Sequence, residues 1–221
     1  MTKAKVRDGR SVTGVFLVAL LAIDALLIAV HFAFALLGVG EYIDLSLAAS
    51  GGFAERVLQG KWLVLAVMFL AIAALWRNWR PLPYAFLSFY FWGADMTDLP
   101  VHFGRWLRDV IGGPLAEPEL FGVPMIEVLS TSMHLLMFAL FFIPAVVAWR
   151  RATPRELPMM RQMAFAIIAL GVFGIAFDVF SASVLSDGLK HSFGDFVEDG
   201  GELVIGSFML WIAAKELFRR G

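Results

Sequence analysis

The sequence predicts an all-α integral membrane protein with six transmembrane helices and both termini in the cytoplasm. Three observations predict this fold class. The chain has 221 residues, of which 60% are hydrophobic and only 17% are charged, and its mean hydropathy is +0.78, whereas soluble domains carry about 25% charged residues. Its apolar residues form runs close to the roughly 20 residues that cross a bilayer. Its basic residues concentrate in alternate connections between these runs, as they do in cytoplasmic loops.

The composition also excludes several classes of protein. The formal net charge of −1 provides no basic field for nucleic acid, and the apolar content is too high for a disordered chain. The chain contains no cysteine, which excludes disulfides, zinc–thiolate sites, iron–sulfur clusters and thiol catalysis.

The six predicted spans follow one another within a single domain over residues 1–221. The first is too long for a cleaved signal peptide and lacks the small-residue cleavage site of one. The second is the uncharged run between Lys61 and Arg77, the third ends in an acidic segment at His102, and the sixth opens on acids. The fourth and fifth flank an arginine-rich connection. The predicted bounds are residues 12–38, 62–76, 82–103, 124–149, 159–185 and 197–215.

Charge in the connections predicts the orientation. Most of the lysines and arginines lie in the N-terminal tail, in the connections after spans 2 and 4, and at the C-terminal end. The opposite side holds Arg56, Lys61, Arg105, Arg108 and Lys190. The positive-inside rule therefore predicts that both termini lie in the cytoplasm, and we expect the chain in a bacterial inner membrane.

Ionisable side chains inside a bilayer are costly and mark functional sites. Three of the predicted spans carry an acid and a histidine seven positions apart, a spacing that places both on one helix face. The pairs are Asp24 with His31, Asp95 with His102, and Glu127 with His134. Further acids occur at Asp98, Asp178, Glu198, Asp199 and Glu202.

In the predicted orientation these groups share the outer half of the bilayer. We therefore expect one acid- and histidine-lined chamber that opens to the periplasm. For Asp24 the alternative is a hydrogen bond to a serine or threonine of a neighbouring helix. For Glu198 and Asp199 it is a cap at the start of span 6.

The first hypothesis for the chamber is a divalent metal site. Carboxylates and imidazoles from facing helices hold metal ions in helical bundles, and a mixed oxygen and nitrogen set favours Fe, Mn or Zn. A metal there would support a metal-dependent enzyme that acts on a lipid-like or other hydrophobic substrate. Asp95, Asp199 and Ser130 are the candidates for catalysis or proton transfer. The predicted ligands are Asp98, His102, Glu127, His134, Asp178 and Glu202.

Three alternatives stay open at this point. Chains of intramembrane acids and histidines also form proton relays and ion pathways, which predicts a proton- or cation-coupled transporter or channel. A bis-histidine haem would need His31 to face His102 or His134. A non-catalytic subunit of a larger membrane complex is the third alternative, and the sequence leaves the oligomeric state open.

Three motifs resemble a family of uncharacterised multi-pass bacterial membrane proteins. They are the acid-rich segment Trp92–His102, the Phe-Gly and Asp stretch Val172–Asp178, and the helix start Val197–Glu202. The chain departs from the pattern at Phe103, where the resemblance implies a glutamate. The resemblance implies a site at these motifs and carries no activity.

Two glycines and two connections complete the expectations. Gly200 and Gly201 would let a neighbouring helix or a substrate approach the adjacent carboxylates, because a glycine allows close backbone contact. Residues 39–60 and 108–124 are long for simple connections, and we expect each to form a surface segment over the chamber.

Overall fold

The structure is a computed structural model, and it describes residues 2–37, 47, 52–111, 119–120, 123–176 and 195–219. It describes the backbone alone at residues 2–11, 34–37, 111, 119–120, 123–124, 127, 175–176 and 195–196. Seven α-helices account for most of these residues, and a π-helical segment, Val172–Ala176, continues the sixth. The helices are α1 Thr2–Leu37, α2 Phe53–Trp76, α3 Leu82–Thr97, α4 Leu99–Ile111, α5 Met125–Arg150, α6 Leu157–Gly171 and α7 Asp195–Phe218.

The only strands in the described part of the chain are two residues long each. Glu119–Leu120 and Val123–Pro124 pair antiparallel just before α5. The predicted all-helical class is therefore confirmed.

Within the part of the chain that the structure describes, four helical segments are long and apolar enough to cross a membrane. They are Val12–Ala33, Phe53–Trp76, Val128–Arg150 and Leu157–Gly174. Large apolar side chains point outward from them, among them Val15, Ile143 and Phe165. A soluble protein would bury such a surface, so the helices are those of a membrane protein.

Four candidate spans are fewer than the six that were predicted. The third predicted span yields α3, whose 16 residues rise about 24 Å at 1.5 Å each. The sixth yields α7, whose first two turns carry several acids. The six-span count and the cytoplasmic termini stay predictions.

The third predicted span, 82–103, is wrong as one continuous helix. The chain leaves the helical conformation at Asp98, which adopts a left-handed φ of 48°, and α4 starts at Leu99. Pro100 explains the break, because it lacks an N–H for the Met96 carbonyl and its ring crowds that carbonyl. Asp95 and His102 therefore do not lie on one helix face.

The start of the second predicted span, residue 62, is also wrong. Helix α2 begins at Phe53, inside the segment expected to form a surface connection. The sequence favoured a later start because Glu55, Arg56 and Lys61 interrupt the apolar run. Lys61 is nevertheless buried in α2, where it meets an acid.

Helix α2 lies at the centre of the packing. It contacts α3 and α7, while α7 also contacts α1 and α6, and α5 contacts α3 and α4. The core combines large side chains of α2 with a methionine cluster of α6. Its fully buried members include Trp62, Leu65, Phe69, Ile72, Met159, Met160 and Met163.

Two short connections are tied together by Glu156. Its carboxylate accepts hydrogen bonds from Arg80 at 2.5 Å, from the Thr153 backbone N–H at 2.8 Å and from Asn78 at 3.0 Å. Burial favours the neutral acid, but the hydrogen bonds from Thr153 and Arg80 outweigh it and lower the pKa of Glu156. This network fixes the α2–α3 connection against the α5–α6 connection.

Candidate functional site

A polar cavity of about 230 Å³ lies among α2, α3, α5, α7 and the π-helical segment. Its apolar walls include Trp62 and Phe91, whose rings are 5.1 Å apart. We call this cavity the chamber. Its polar lining consists of Asp95, Ser130, Thr131, His134, Glu198 and Glu202.

Helical spacing explains why these side chains meet. Residues four apart on a helix lie on one side of it, and three helices each contribute such a pair to the lining of the chamber. The pairs are Phe91 with Asp95 on α3, Ser130 with His134 on α5, and Glu198 with Glu202 on α7.

The chamber is strongly acidic. Asp95, Glu198 and Glu202 contribute three carboxyl groups, and the described lining residues include no lysine or arginine. Like charges in an environment of low polarity oppose one another's ionisation. The chamber therefore favours a proton or another cation.

His134 is held in place by α3. Its Nδ1 atom lies 3.0 Å from the Tyr90 hydroxyl, and the two share a hydrogen bond whose donor depends on the tautomer of the imidazole. The rings also pack edge to face with centroids 5.8 Å apart. This contact engages Nδ1 and holds the imidazole in one orientation.

The π-helical segment brings its backbone against Glu202. A Cβ atom added to Gly174 would lie 2.1 Å from Oε1 of Glu202, so the carboxyl group occupies the space that any other residue would fill. Isolated π-helical turns are frequent at functional sites. A Cβ atom on Gly201 would lie 2.8 Å from the ring of Phe173, which agrees with the predicted close approach at this glycine.

The structure brings some of the predicted site residues together. His134 and Glu202, both predicted as ligands, line the chamber with Asp95 and Ser130, which were predicted for proton transfer. Asp199 is half-buried on α7 and is not among the lining residues.

Other predicted ligands lie elsewhere. Asp98 and His102 are exposed beside the break between α3 and α4. Because of this break, they do not continue the helical spacing that would place them on the same face as Asp95. Asp178 and the side chain of Glu127 lie outside the described residues. Among the residues that are described, no three histidines or acids are placed to hold one metal ion. The metal and its ligand set therefore stay predictions.

A second polar cluster, formed by Asp24, Lys61 and Ser207, joins α1, α2 and α7. Lys61 forms an ion pair with Asp24 and donates a 2.9 Å hydrogen bond to the Leu203 carbonyl. Ser207 donates to the second oxygen of Asp24 at 2.6 Å. Asp24 and Ser207 are fully buried, and Lys61 is only 5% exposed. We call these three residues the ion-pair cluster.

One member of the ion-pair cluster was singled out by sequence reasoning. Asp24 was expected either in the chamber or with a hydroxyl of a neighbouring helix, and Ser207 supplies that hydroxyl. Lys61 was missed as its partner, because a lysine at the edge of an apolar run resembles a charge of a connection.

The chamber and the ion-pair cluster lie on the two sides of one helix contact. On α2, Trp62 lines the chamber and the adjacent Lys61 belongs to the cluster. On α7, Glu202 lines the chamber, and the next residue, Leu203, accepts the hydrogen bond from Lys61. A single pair of helices therefore positions both polar regions.

No protein-family model, no curated protein and no solved structure matches this chain. The chamber and the residues around it are therefore the basis on which a function can be assigned.

Proposed function

We propose that this chain is a membrane protein that carries protons or another cation through its acidic chamber, as a proton- or cation-coupled transporter. The observation that carries this proposal is the grouping of Asp95, Glu198 and Glu202 with His134 in the lining of one cavity. Acids and histidines arranged in this way within a membrane form proton relays and ion pathways.

Tyr90 and His134 support the same proposal. Their hydrogen bond connects a hydroxyl and an imidazole, and each of these groups can both donate and accept a hydrogen bond. Glu198 and Glu202 lie one turn apart along α7, so a proton or a cation that enters near one carboxyl group has a second one within reach.

A flux measurement on the full chain tests this proposal. The protein is reconstituted into liposomes that contain a pH-sensitive dye, and the dye response is followed after a pH gradient is imposed. We expect a flux above that of empty liposomes. Glu202→Gln should lower it by about 100-fold, because a positioned proton-transfer group contributes about that much to a rate.

Asp109→Asn is the matched control for this experiment. Asp109 is an acid on α4 whose side chain is 70% exposed, and it does not line the chamber, so its variant should keep the flux. A wild-type flux no higher than that of empty liposomes, both for protons and for added monovalent cations, would contradict the transporter.

A divalent metal in the chamber is the second candidate, and a metal-dependent enzyme would follow from it. The observation that favours it is the presence of one imidazole and several carboxyl groups from different helices in one cavity, which are the ligand types of Fe, Mn and Zn. On this proposal His134 and Glu202 bind the metal, and the substrate is lipid-like or hydrophobic.

Metal content separates the two candidates. Mass spectrometry of the purified chain should find a stoichiometric divalent metal only if the second candidate is right, and Glu202→Gln should then lower that content. A metal-free chain that conducts protons would contradict the enzyme.

A further inference from the structure

A second cavity, which we call the apolar groove, runs between α3 and α5. Its volume is about 350 Å³, within the range of small-molecule sites and far larger than the roughly 30 Å³ of one water. Phe86 and Leu140 line it and are more than half exposed. The groove therefore opens toward the lipid-facing side of the helices. Its wall also includes Leu87, Met137, Phe141 and Pro144.

Pro144 interrupts the hydrogen bonding of α5 beside the groove. It lies inside α5, where its ring nitrogen cannot donate to the carbonyl of Leu140. Both residues line the groove, so the interrupted turn of α5 faces this cavity.

The apolar groove and the chamber follow each other along the same two helices. On α3, residues between Leu82 and Tyr90 line the groove, and Phe91 and Asp95 line the chamber. On α5, which runs beside α3, the groove ends at Met137 and the chamber extends from Phe138 back to Ser130.

Tyr90 marks the boundary between the two cavities. Its ring lines the groove, and its hydroxyl is hydrogen-bonded at 3.0 Å to His134, which lines the chamber. A molecule that lies along α3 would thus have an apolar part in the groove and a polar part beside His134.

We propose that the groove and the chamber together bind a single-chain cationic amphiphile, with its alkyl chain in the groove and its amine in the chamber. The groove's lining is apolar apart from the Tyr90 hydroxyl and the Trp79 indole N–H, which suits a hydrocarbon chain. The three carboxyl groups of the chamber select a positive headgroup over a neutral or negative one. This inference rests on the proposed function, since the amine occupies the chamber that takes the transported cation.

Photolabelling of the full chain in phosphatidylcholine nanodiscs tests this proposal. The probe is dodecylamine with a diazirine in its alkyl chain, and dodecanol with the same diazirine is the neutral comparison. We expect the amine to label α3 and α5 at residues 82–90 and 137–144. Its labelling should exceed that of the alcohol by about tenfold, the fold-change that one hydrogen bond to a charged group gives.

Two pairs of variants sharpen the result. Leu140→Trp fills the groove and should abolish this labelling, whereas Phe165→Trp, which adds the same ring on the exposed face of α6, should not. Glu202→Gln should lower labelling by the amine toward that by the alcohol, and Asp109→Asn should leave it unchanged.

Labelling spread evenly over all lipid-facing helices, or unaffected by Leu140→Trp, would overturn the site. If the groove is labelled equally by the amine and the alcohol, and equally in the wild type and in Glu202→Gln, the chamber has no role in binding the amphiphile. The liposome flux of the wild-type chain, measured without amphiphile, separates this inference from the proposed function. Flux without selective labelling contradicts the amphiphile alone, and selective labelling without flux contradicts the transporter alone.

Discussion

The ion-pair cluster and the chamber are both polar and both buried against the α2–α7 contact, yet they differ in charge balance. In the cluster one carboxylate meets one ammonium group, and Ser207 and the Leu203 carbonyl take up further hydrogen bonds. In the chamber three carboxyl groups surround about 230 Å³ of space. The members of the cluster bond to one another, whereas the chamber has both room and charge for a ligand.

This difference indicates a division of roles. A buried ion pair whose members are both hydrogen-bonded holds its helices in one arrangement, and removal of one member leaves an uncompensated charge. An acidic cavity costs free energy unless a proton or a cation occupies it. We therefore expect changes in the cluster to affect stability, and changes in the chamber to affect transport.

The largest expected effect is that of Lys61→Met. This change leaves the Asp24 carboxylate buried without its cation, which costs about 3–5 kcal/mol when one member of such a pair is removed. The free energy of unfolding, measured by reversible unfolding of the protein in bicelles with increasing SDS, should fall by that amount.

The double variant Asp24→Leu with Lys61→Met is the control for this change. It removes both charges, and the Ser207 hydroxyl can then donate to the carbonyl four residues earlier, that of Leu203. Most of the stability should return. A Lys61→Met protein as stable as the wild type would show that the cluster does not hold α1, α2 and α7 together.

Gly174→Ala should have an intermediate effect, which we expect on transport and not on stability. The new methyl group would lie 2.1 Å from Oε1 of Glu202, so the flexible side chain must turn away from its place in the chamber. We expect the liposome flux to fall by about tenfold, the equivalent of about 1.4 kcal/mol, with little loss of stability.

Gly171→Ala is the matched control, because a Cβ atom there has no neighbour within 4 Å and lies less than one turn away. A Gly174→Ala protein with wild-type flux would mean that the position of the Glu202 carboxyl group is unimportant. A loss of flux in both variants would assign the effect to the helix backbone.

The smallest expected effect is that of Glu156→Gln. Because the pKa of Glu156 is lowered in the folded protein, its network stabilises the fold fully above the ordinary value of 4.5 and loses this effect as the pH falls through the folded pKa. At pH 7 the variant should be less stable by about 1 kcal/mol.

The pH dependence checks this prediction. The stabilities of the wild type and of Glu156→Gln, each measured from pH 7 down to pH 3, should converge at the acid end. A constant difference over this range would show that the charge of Glu156 contributes nothing to the network.

The sequence by itself determined the class of this protein. Long apolar runs can satisfy their backbone hydrogen bonds in a bilayer only as helices, so the all-helical membrane fold follows from composition and run length. It also pointed to the acids and histidines of the chamber, because an ionisable residue within an apolar run is unusual whatever the helix contacts in the folded protein. Asp95, His134 and Glu202 were found in this way, and Ser130 was found because it lies three residues after Glu127 on the same side of the predicted helix.

Only the tertiary structure decided which of these residues meet. Asp95 and His102 are seven residues apart, which places them on one face only if both belong to one helix. The break at Asp98 separates them. The pairing of Asp24 with Lys61 joins residues 37 positions apart, and that with Ser207 joins residues 183 positions apart, separations that no local pattern encodes. Helical period specifies the face on which a side chain lies, while the packing of α2 against α7 specifies what that face contacts.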